Sequence, residues 1–300
     1  MDGKEDRDSR VLPRNSKRWR LFAFIFALAS AALVALIVPL AVILPRPKYP
    51  KSFKSTVIVP LYIYPENGSS WDPLFDVITS RPSLNFTVIL NPDSGPGSSS
   101  YPGDDFVPLI QKLNAYSNVQ TIGYVRTGYG TRNITNVLDD VTTYSDWATI
   151  ANATGLAVHG VFFDETVSEF SVSAAEYLTT INQAVKNATG LLSNKTVIHN
   201  PGTIPDTGLN VPDTDTTVIF EGPYQSYQEQ AATLASLPLN RSDYSYIVHS
   251  LPTSMSKVNL RKFAYRLSEL SEFLFLTDLS ENYYESFGPD WRDFIGVMPT

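Results

Sequence analysis

From Thr56 onward, short apolar runs alternate with segments of helical spacing, and the alternation persists to the C-terminus. The runs are "TVIVPLYIY" (56–64), "FTVILNP" (86–92), "VQTIGYV" (119–125), "VHGVFFDE" (158–165), "KTVIHNP" (195–201), "TTVIFEG" (216–222), "YSYIVHS" (244–250) and "FLFLTD" (273–278). They are rich in β-branched and aromatic residues and lack a clean apolar–polar alternation, the pattern of strands buried on both faces of a parallel sheet. Between them, apolar residues recur at intervals of three and four. This spacing predicts helices over 72–80, 105–116, part of 134–153, 174–188, 226–236, 257–270 and 291–297. Residues 202–215 are the weakest segment, since two prolines, two glycines and three aspartates oppose a helix there. Eight strands, each followed by a helix or a substitute for one, predict a (β/α)8 TIM barrel over residues 55–300. An open doubly wound sheet is the alternative.

Ahead of the barrel the pattern changes. Residues 21–44, "LFAFIFALASAALVALIVPLAVIL", are 24 residues without a charge. At about 1.5 Å per residue the run exceeds a ~30 Å hydrocarbon core and predicts a transmembrane signal-anchor helix. It also outlasts the apolar stretch of a cleaved leader, although Ala27-Leu28-Ala29 resembles a peptidase site. Residues 1–20 carry seven Lys/Arg against four Asp/Glu, which keeps that tail cytoplasmic. "PRPKYPKSFK" (45–54) reads as a stiff stalk. The expected product is a single-pass type II membrane protein with its barrel in the secretory lumen or at the cell surface. Seven N-x-S/T sequons, at Asn67, Asn85, Asn133, Asn152, Asn187, Asn194 and Asn240, fit a glycoprotein facing that way.

Composition narrows the chemistry. No cysteine is present, so disulfides, thiolate metal sites and cysteine nucleophiles are excluded. The three histidines, His159, His199 and His249, form no HxxxH pair. Neither a metal nor a cofactor is expected. Beyond residue 20 the chain holds 16 basic and 26 acidic groups, net −10, which opposes a nucleic-acid partner. The Gly/Ser-rich "DSGPGSSSYPG" (93–103) lacks the GK[ST] ending of a phosphate-binding loop.

In a TIM barrel the chemistry sits at the C-terminal ends of the strands. Those ends carry Tyr62 and Tyr64; Asn91 and Asp93; Tyr124 and Arg126; Asp164 and Glu165; His199 and Asn200; Glu221 and Tyr224; His249; and Asp278. Carboxylates for acid/base work, amides and hydroxyls for sugar hydroxyls, and aromatic faces for C–H stacking suit a carbohydrate. The competing roles are structural. Asp164 or Glu165 could cap the next helix, although Ser171 and Ser173 lie nearer to it. Asp278 could stabilise a turn, the histidines could be core residues, and the tyrosines could close the barrel mouth as packing.

The motifs "IVPLYIYP", "ILNPDSGPG", "GYVRTGYG", "VFFDE" and "VIFEGPY" resemble, in order and spacing, the spherulin-4-like fungal glycoside hydrolases of glycoside hydrolase family 135. The resemblance runs from about residue 56 to the C-terminus. It implies a (β/α)8 enzyme that cleaves galactosaminogalactan, an exopolysaccharide of galactose and α-1,4-linked N-acetylgalactosamine, and that takes part in making or processing this polymer. Carried over by motif, the family's acidic residues fall on Asp164, Glu165 and Glu221. Tyr62, Asn91, Asp93, Tyr124, Asn200 and Tyr224 are the expected substrate-binding groups.

In an α-linked N-acetylgalactosamine the acetamido group is cis to the leaving group, so it cannot attack from behind. The protein must then supply the nucleophile. Asp164 is expected in that role, with Glu221 as acid/base, its pKa raised by neighbouring carboxylates. Glu165 would orient the substrate or tune those pKa values; the reverse assignment of Asp164 and Glu165 stays open. The reach of both side chains across two strands predicts a retaining mechanism, and endo cleavage is expected. The competing class is a catalytically inactive barrel that binds wall polysaccharide. Chitin is disfavoured because the DxxDxDxE strand signature is missing.

Overall fold

The computed structural model describes residues 53–150, 154–238 and 240–300. The predicted tail, the apolar run 21–44 and most of the stalk lie outside these residues, as does the sequon at Asn152. Among the described residues no helix is long and apolar enough to cross a membrane. The described sequon asparagines Asn85, Asn133, Asn187, Asn194 and Asn240 are all exposed.

Eight parallel strands close into a barrel in chain order: β1 Thr56–Leu61, β2 Asn85–Leu90, β3 Val119–Arg126, β4 Gly160–Asp164, β5 Thr196–Asn200, β6 Thr216–Pro223, β7 Tyr244–His249 and β8 Phe273–Leu276. The pairing of β8 with β1, Thr56 beside Phe273, excludes the open doubly wound sheet. Among the described residues seven α-helices follow the strands: α1 Asp72–Ser80, α2 Val107–Asn114, α3 Ile134–Asp146, α4 Val172–Asn187, α5 Tyr224–Leu234, α6 Lys257–Leu270 and α7 Trp291–Val297.

The apolar runs fill both the barrel interior and the strand–helix layer, and nearly every strand residue between the termini is buried. Helix starts follow local chemistry. Asn133 Oδ1 accepts from Thr135 N at 2.9 Å to open α3, and Ser171 Oγ accepts from Ala174 N at 3.1 Å to open α4. Asp164 and Glu165 are therefore not needed as caps. On β3, Gly123 has no side chain because the Tyr144 ring of α3 lies where a Cβ would be, only 2.6 Å away. Tyr144 in turn donates to the Leu90 carbonyl at 3.1 Å.

No α-helix follows β5. A 3-10 turn, Thr207–Leu209, takes its place, as the prolines and glycines of this segment foretell. Polar side chains hold it: Asn182 of α4 donates to the Pro212 carbonyl and to Thr214 Oγ1, both at 2.9 Å. Asp215 accepts from Val197 N at 2.7 Å and from Lys186 Nζ at 2.6 Å.

Two features of the sheet position the site. Side chains alternate along a strand, so Phe162 and Asp164 share one face of β4 while Phe163 faces outward with His199 at 6.0 Å. The register places Asp164 beside Asn200, and Arg126 beside Asp164.

Candidate active site

At the C-terminal mouth of the barrel, Asn200 of β5 stands between the acids of β4 and β6. Its Nδ2 donates to Asp164 Oδ1 at 2.7 Å and to Glu221 Oε2 at 2.6 Å. Its Oδ1 accepts from Gly202 N at 3.0 Å, which fixes the amide with its two N–H groups toward the carboxylates. Each acid spends its other oxygen on a tyrosine. Tyr124 donates to Asp164 Oδ2 at 2.8 Å, and Tyr284 donates to Glu221 Oε1. All four carboxyl oxygens thus accept a hydrogen bond. Because Asp164 Oδ1 and Glu221 Oε2 share one nitrogen, they are no more than 5.3 Å apart.

Burial is the main cause that raises the pKa of both acids. The neighbouring carboxylate, expected from the sequence to dominate at Glu221, is the smaller cause. The two environments are unequal. Asp164 has three opposing donors, Tyr124, the Glu165 backbone and Asn200, and faces the charge of Glu165; Glu221 has only two, Tyr284 and Asn200, and faces the charge of Asp164. Asp164 is therefore the better anion of the pair, and Glu221 the better proton holder. Aromatic edges wall this floor: Tyr62 packs edge-on against Tyr124 at 5.4 Å and Tyr284 at 5.3 Å.

Glu165 follows a different course. Its φ of 52° turns the chain left-handed just past β4, a conformation that costs a non-glycine residue about 1–2 kcal/mol. The turn swings its carboxylate onto exposed Arg126, with Oε2 2.8 Å from Nε. The loop after β3 is bent the same way. Gly128, Tyr129 and Gly130 all have positive φ, at 58°, 56° and 75°. The strain is held by ties to the end of β4: Thr127 Oγ1 donates to the Asp164 and Glu165 carbonyls at 2.9 and 2.7 Å, and Tyr129 N donates to the Glu165 carbonyl at 2.5 Å. The loop presents Tyr129, 63% exposed, at the edge of a cleft of about 420 Å³. The same cleft is lined by Asp164, Glu165, Asn200, Gly202, Glu221 and Tyr283.

With this geometry in view, similarity to known proteins is informative. Residues 56–298 match the family described as Spherulation-specific family 4, Spherulin4. The chain belongs to the spherulin-4 family. Spherulin-4 of Physarum polycephalum is 32% identical over 210 residues, which are 67% of this chain; the match spans 58% of that relative's length. The crystal structure of Aspergillus clavatus Sph3 in complex with GalNAc is 40% identical, with a TM-score of 0.78. That match covers 82% of this chain and 97% of the Sph3 chain.

In this spherulin-4 family member the barrel brings together Asp164, Glu165, Glu221, Tyr62, Tyr124 and Asn200 of the residues expected from the sequence. The others have different surroundings. Asn91 Oδ1 accepts from Gly95 N at 2.9 Å and shapes a loop, while Asp93 lines a separate cavity. Tyr224 opens α5 and packs edge-on to Phe263 at 5.1 Å. His199 faces α4, with Nε2 2.7 Å from Asn182 Oδ1, and burial lowers its pKa to about 3, so it stays neutral. His249 stacks on Tyr283 at 4.1 Å. Asp278 Oδ1 accepts from Asp290 N at 3.5 Å, the turn role set against it above.

Tyr283 and Tyr284 were not anticipated. They lie in the loop after β8, a "NYYES" doublet with no strand-end spacing to announce it. Tyr129 was likewise unforeseen, although the glycines on either side of it, inside the "GYVRTGYG" motif, were a sign of a bent loop.

Proposed function

We propose that the protein is a retaining, endo-acting glycoside hydrolase that cleaves α-1,4-linked N-acetylgalactosamine in galactosaminogalactan. The observation that carries this reading is the Asn200 bridge, which holds the Asp164 and Glu221 oxygens within 5.3 Å. Carboxyl pairs of retaining glycosidases lie about 5–5.5 Å apart, whereas inverting pairs lie about 6.5–9.5 Å apart to admit a water. The likeness to an Aspergillus structure holding GalNAc supports the choice of sugar.

In this mechanism Glu221, whose pKa is raised by burial and by the charge of Asp164, gives its proton to the leaving oxygen. Asp164 attacks the anomeric carbon. Tyr124 and Asn200 hold its carboxylate in place and spread its charge. Deprotonated Glu221 then activates the water that releases the glycosyl-enzyme. Tyr129 offers its ring face to the C–H bonds of the sugar, and the Glu165–Arg126 pair contacts ring substituents at the rim. An inactive polysaccharide-binding barrel would need the aromatic rim but has no use for two half-buried, bridged acids. The membrane assignment belongs to the same proposal: residues 21–44 anchor the chain with the barrel outside the cytoplasm. Release of the protein from membranes by alkaline carbonate would contradict it.

The direct test is mass analysis of products from purified galactosaminogalactan treated with the full-length protein. N-acetylgalactosamine oligomers of several lengths are expected. An unchanged polymer, or single-sugar products alone, would contradict the reading.

A further inference from the structure

Among the described residues three large aromatic side chains are more than half exposed: Tyr64 (54%), Tyr129 (63%) and Phe170 (51%). They follow β1, β3 and β4 respectively, so all three lie at the barrel end that carries Asp164 and Glu221. The other large exposed hydrophobics, Val172, Leu192 and Val258, are aliphatic. Single exposed apolar residues are ordinary on a protein surface. The confinement of the aromatic ones to one end is not.

Tyr129 belongs to the catalytic cleft, but Tyr64 does not. Tyr64 walls a second cavity of about 220 Å³ between the loops after β1 and β2, shared with Asp93, Tyr101, Asp105 and Phe106. Its ring is fixed before any ligand arrives. The hydroxyl donates to Asp105 Oδ2 at 2.6 Å. The ring lies edge-on to Phe106 at 5.4 Å, and Phe106 lies against buried Trp71 at 6.0 Å. A ring already held in one rotamer loses little entropy when a ligand covers it. Asp93 and Asp105 add acceptors for sugar hydroxyls, and no lysine or arginine lines the cavity. An anionic sugar would be repelled there.

We propose that this cavity is a distal glycan-binding subsite, which takes a pyranose without negative charge from the same polymer, at a distance from the bond being cut. The subsite rests on the reading of the cleft as a glycosidase centre. It accounts for an aromatic ring left open to solvent, on the catalytic end of the barrel, in a cavity that holds none of the catalytic acids.

The test is initial-rate kinetics of the full-length protein on N-acetylgalactosamine oligomers of increasing length and on the polymer, for wild type, Tyr64→Ala and Tyr64→Phe. Tyr64→Ala should raise KM on the polymer about tenfold, the loss of one good aromatic contact. It should leave kcat unchanged and leave the shortest cleavable oligomer within about twofold of wild type. Tyr64→Phe keeps the flat face and loses only the hydroxyl's hold on Asp105, so it should show the same length dependence with a smaller rise in KM than Tyr64→Ala. Should thermal melting show Tyr64→Ala to be misfolded, Tyr64→Leu keeps the apolar bulk without the flat face and is expected to give the same length dependence. A loss equal at all lengths, or no loss on the polymer, overturns the subsite while the glycosidase reading stands. A wild type that cleaves none of these substrates overturns both.

Discussion

At the end of β4 the chain sets two acids side by side, and the fold separates them. Asp164 drops into the floor of the cleft, where Tyr124, Asn200 and the Glu165 backbone surround it and burial raises its pKa. Glu165 turns onto the rim, where it pairs with an arginine that is 56% exposed. The same contrast divides the whole site. The floor of Asp164, Asn200, Glu221, Tyr124 and Tyr284 has every carboxyl oxygen bonded and its two acids half-buried. The rim of Arg126, Tyr129 and Glu165 meets solvent. Electrostatic work is strong where water is excluded and weak where it is not. In the proposed mechanism the floor is therefore the place for bond breaking, and the rim the place for recognition.

The largest effects should come from the floor. Asp164→Asn and Glu221→Gln should each lower kcat by a factor on the order of 10³ or more, with KM little changed. Glu165→Gln removes a partly solvated ion pair and should cost less than about tenfold, most of it in KM. Equal losses at 164 and 165, measured by initial rates on the polymer, would erase the distinction between floor and rim.

Asn200→Ala is expected next. It withdraws a charge-assisted hydrogen bond from each acid and should lower kcat roughly 10- to 100-fold. It also tests the sign of the electrostatics. Donors to a carboxylate favour its charged form, so their removal raises the pKa of both Asp164 and Glu221. Both limbs of the pH–rate profile should then move to higher pH. A shift to lower pH would refute the bridge as drawn.

Stability should change in the opposite sense to activity. The Glu221 pKa is raised in the folded state, so the fold keeps its full stability below the unfolded carboxyl pKa and loses some as pH rises through the folded value. Glu221→Gln cannot lose that part. Its melting temperature relative to wild type should be more favourable at pH 7 than at pH 4, by thermal denaturation at both. The smallest effect is expected at the rim. Tyr129→Gly relieves left-handed strain and, net of the added flexibility of glycine, should gain up to about 1 kcal/mol in chemical denaturation. The same change should raise KM for the polymer.

Much of the barrel was legible in the sequence because its strands are buried on both faces and read as unbroken apolar runs. The weakness of any helix after β5 was legible too, in the prolines and glycines of 202–215. Asp164, Glu221, Asn200 and Tyr124 were legible because a strand end fixes where a side chain points. Tyr284 was not, since it reaches Glu221 from a loop whose path is set by contacts remote in sequence, including the bond from Tyr62 N to its carbonyl. Tyr224 misled for the converse reason. It directly follows the β6 motif, but the helix starts there and turns its ring onto Phe263. The opposite fates of Asp164 and Glu165 depend on one backbone angle, the φ of 52° at Glu165, that no spacing rule announces.

The central claim is that Asp164 and Glu221, joined through Asn200, form a retaining pair with Asp164 as nucleophile. Proton NMR of the first product released from an α-linked N-acetylgalactosamine oligomer tests it most directly. Two displacements at one carbon restore its configuration, so the α-anomer should appear first and the β-anomer grow in only as it mutarotates. A β-anomer formed first would mean a single attack by water, and would contradict both the covalent intermediate and the role given to Asp164.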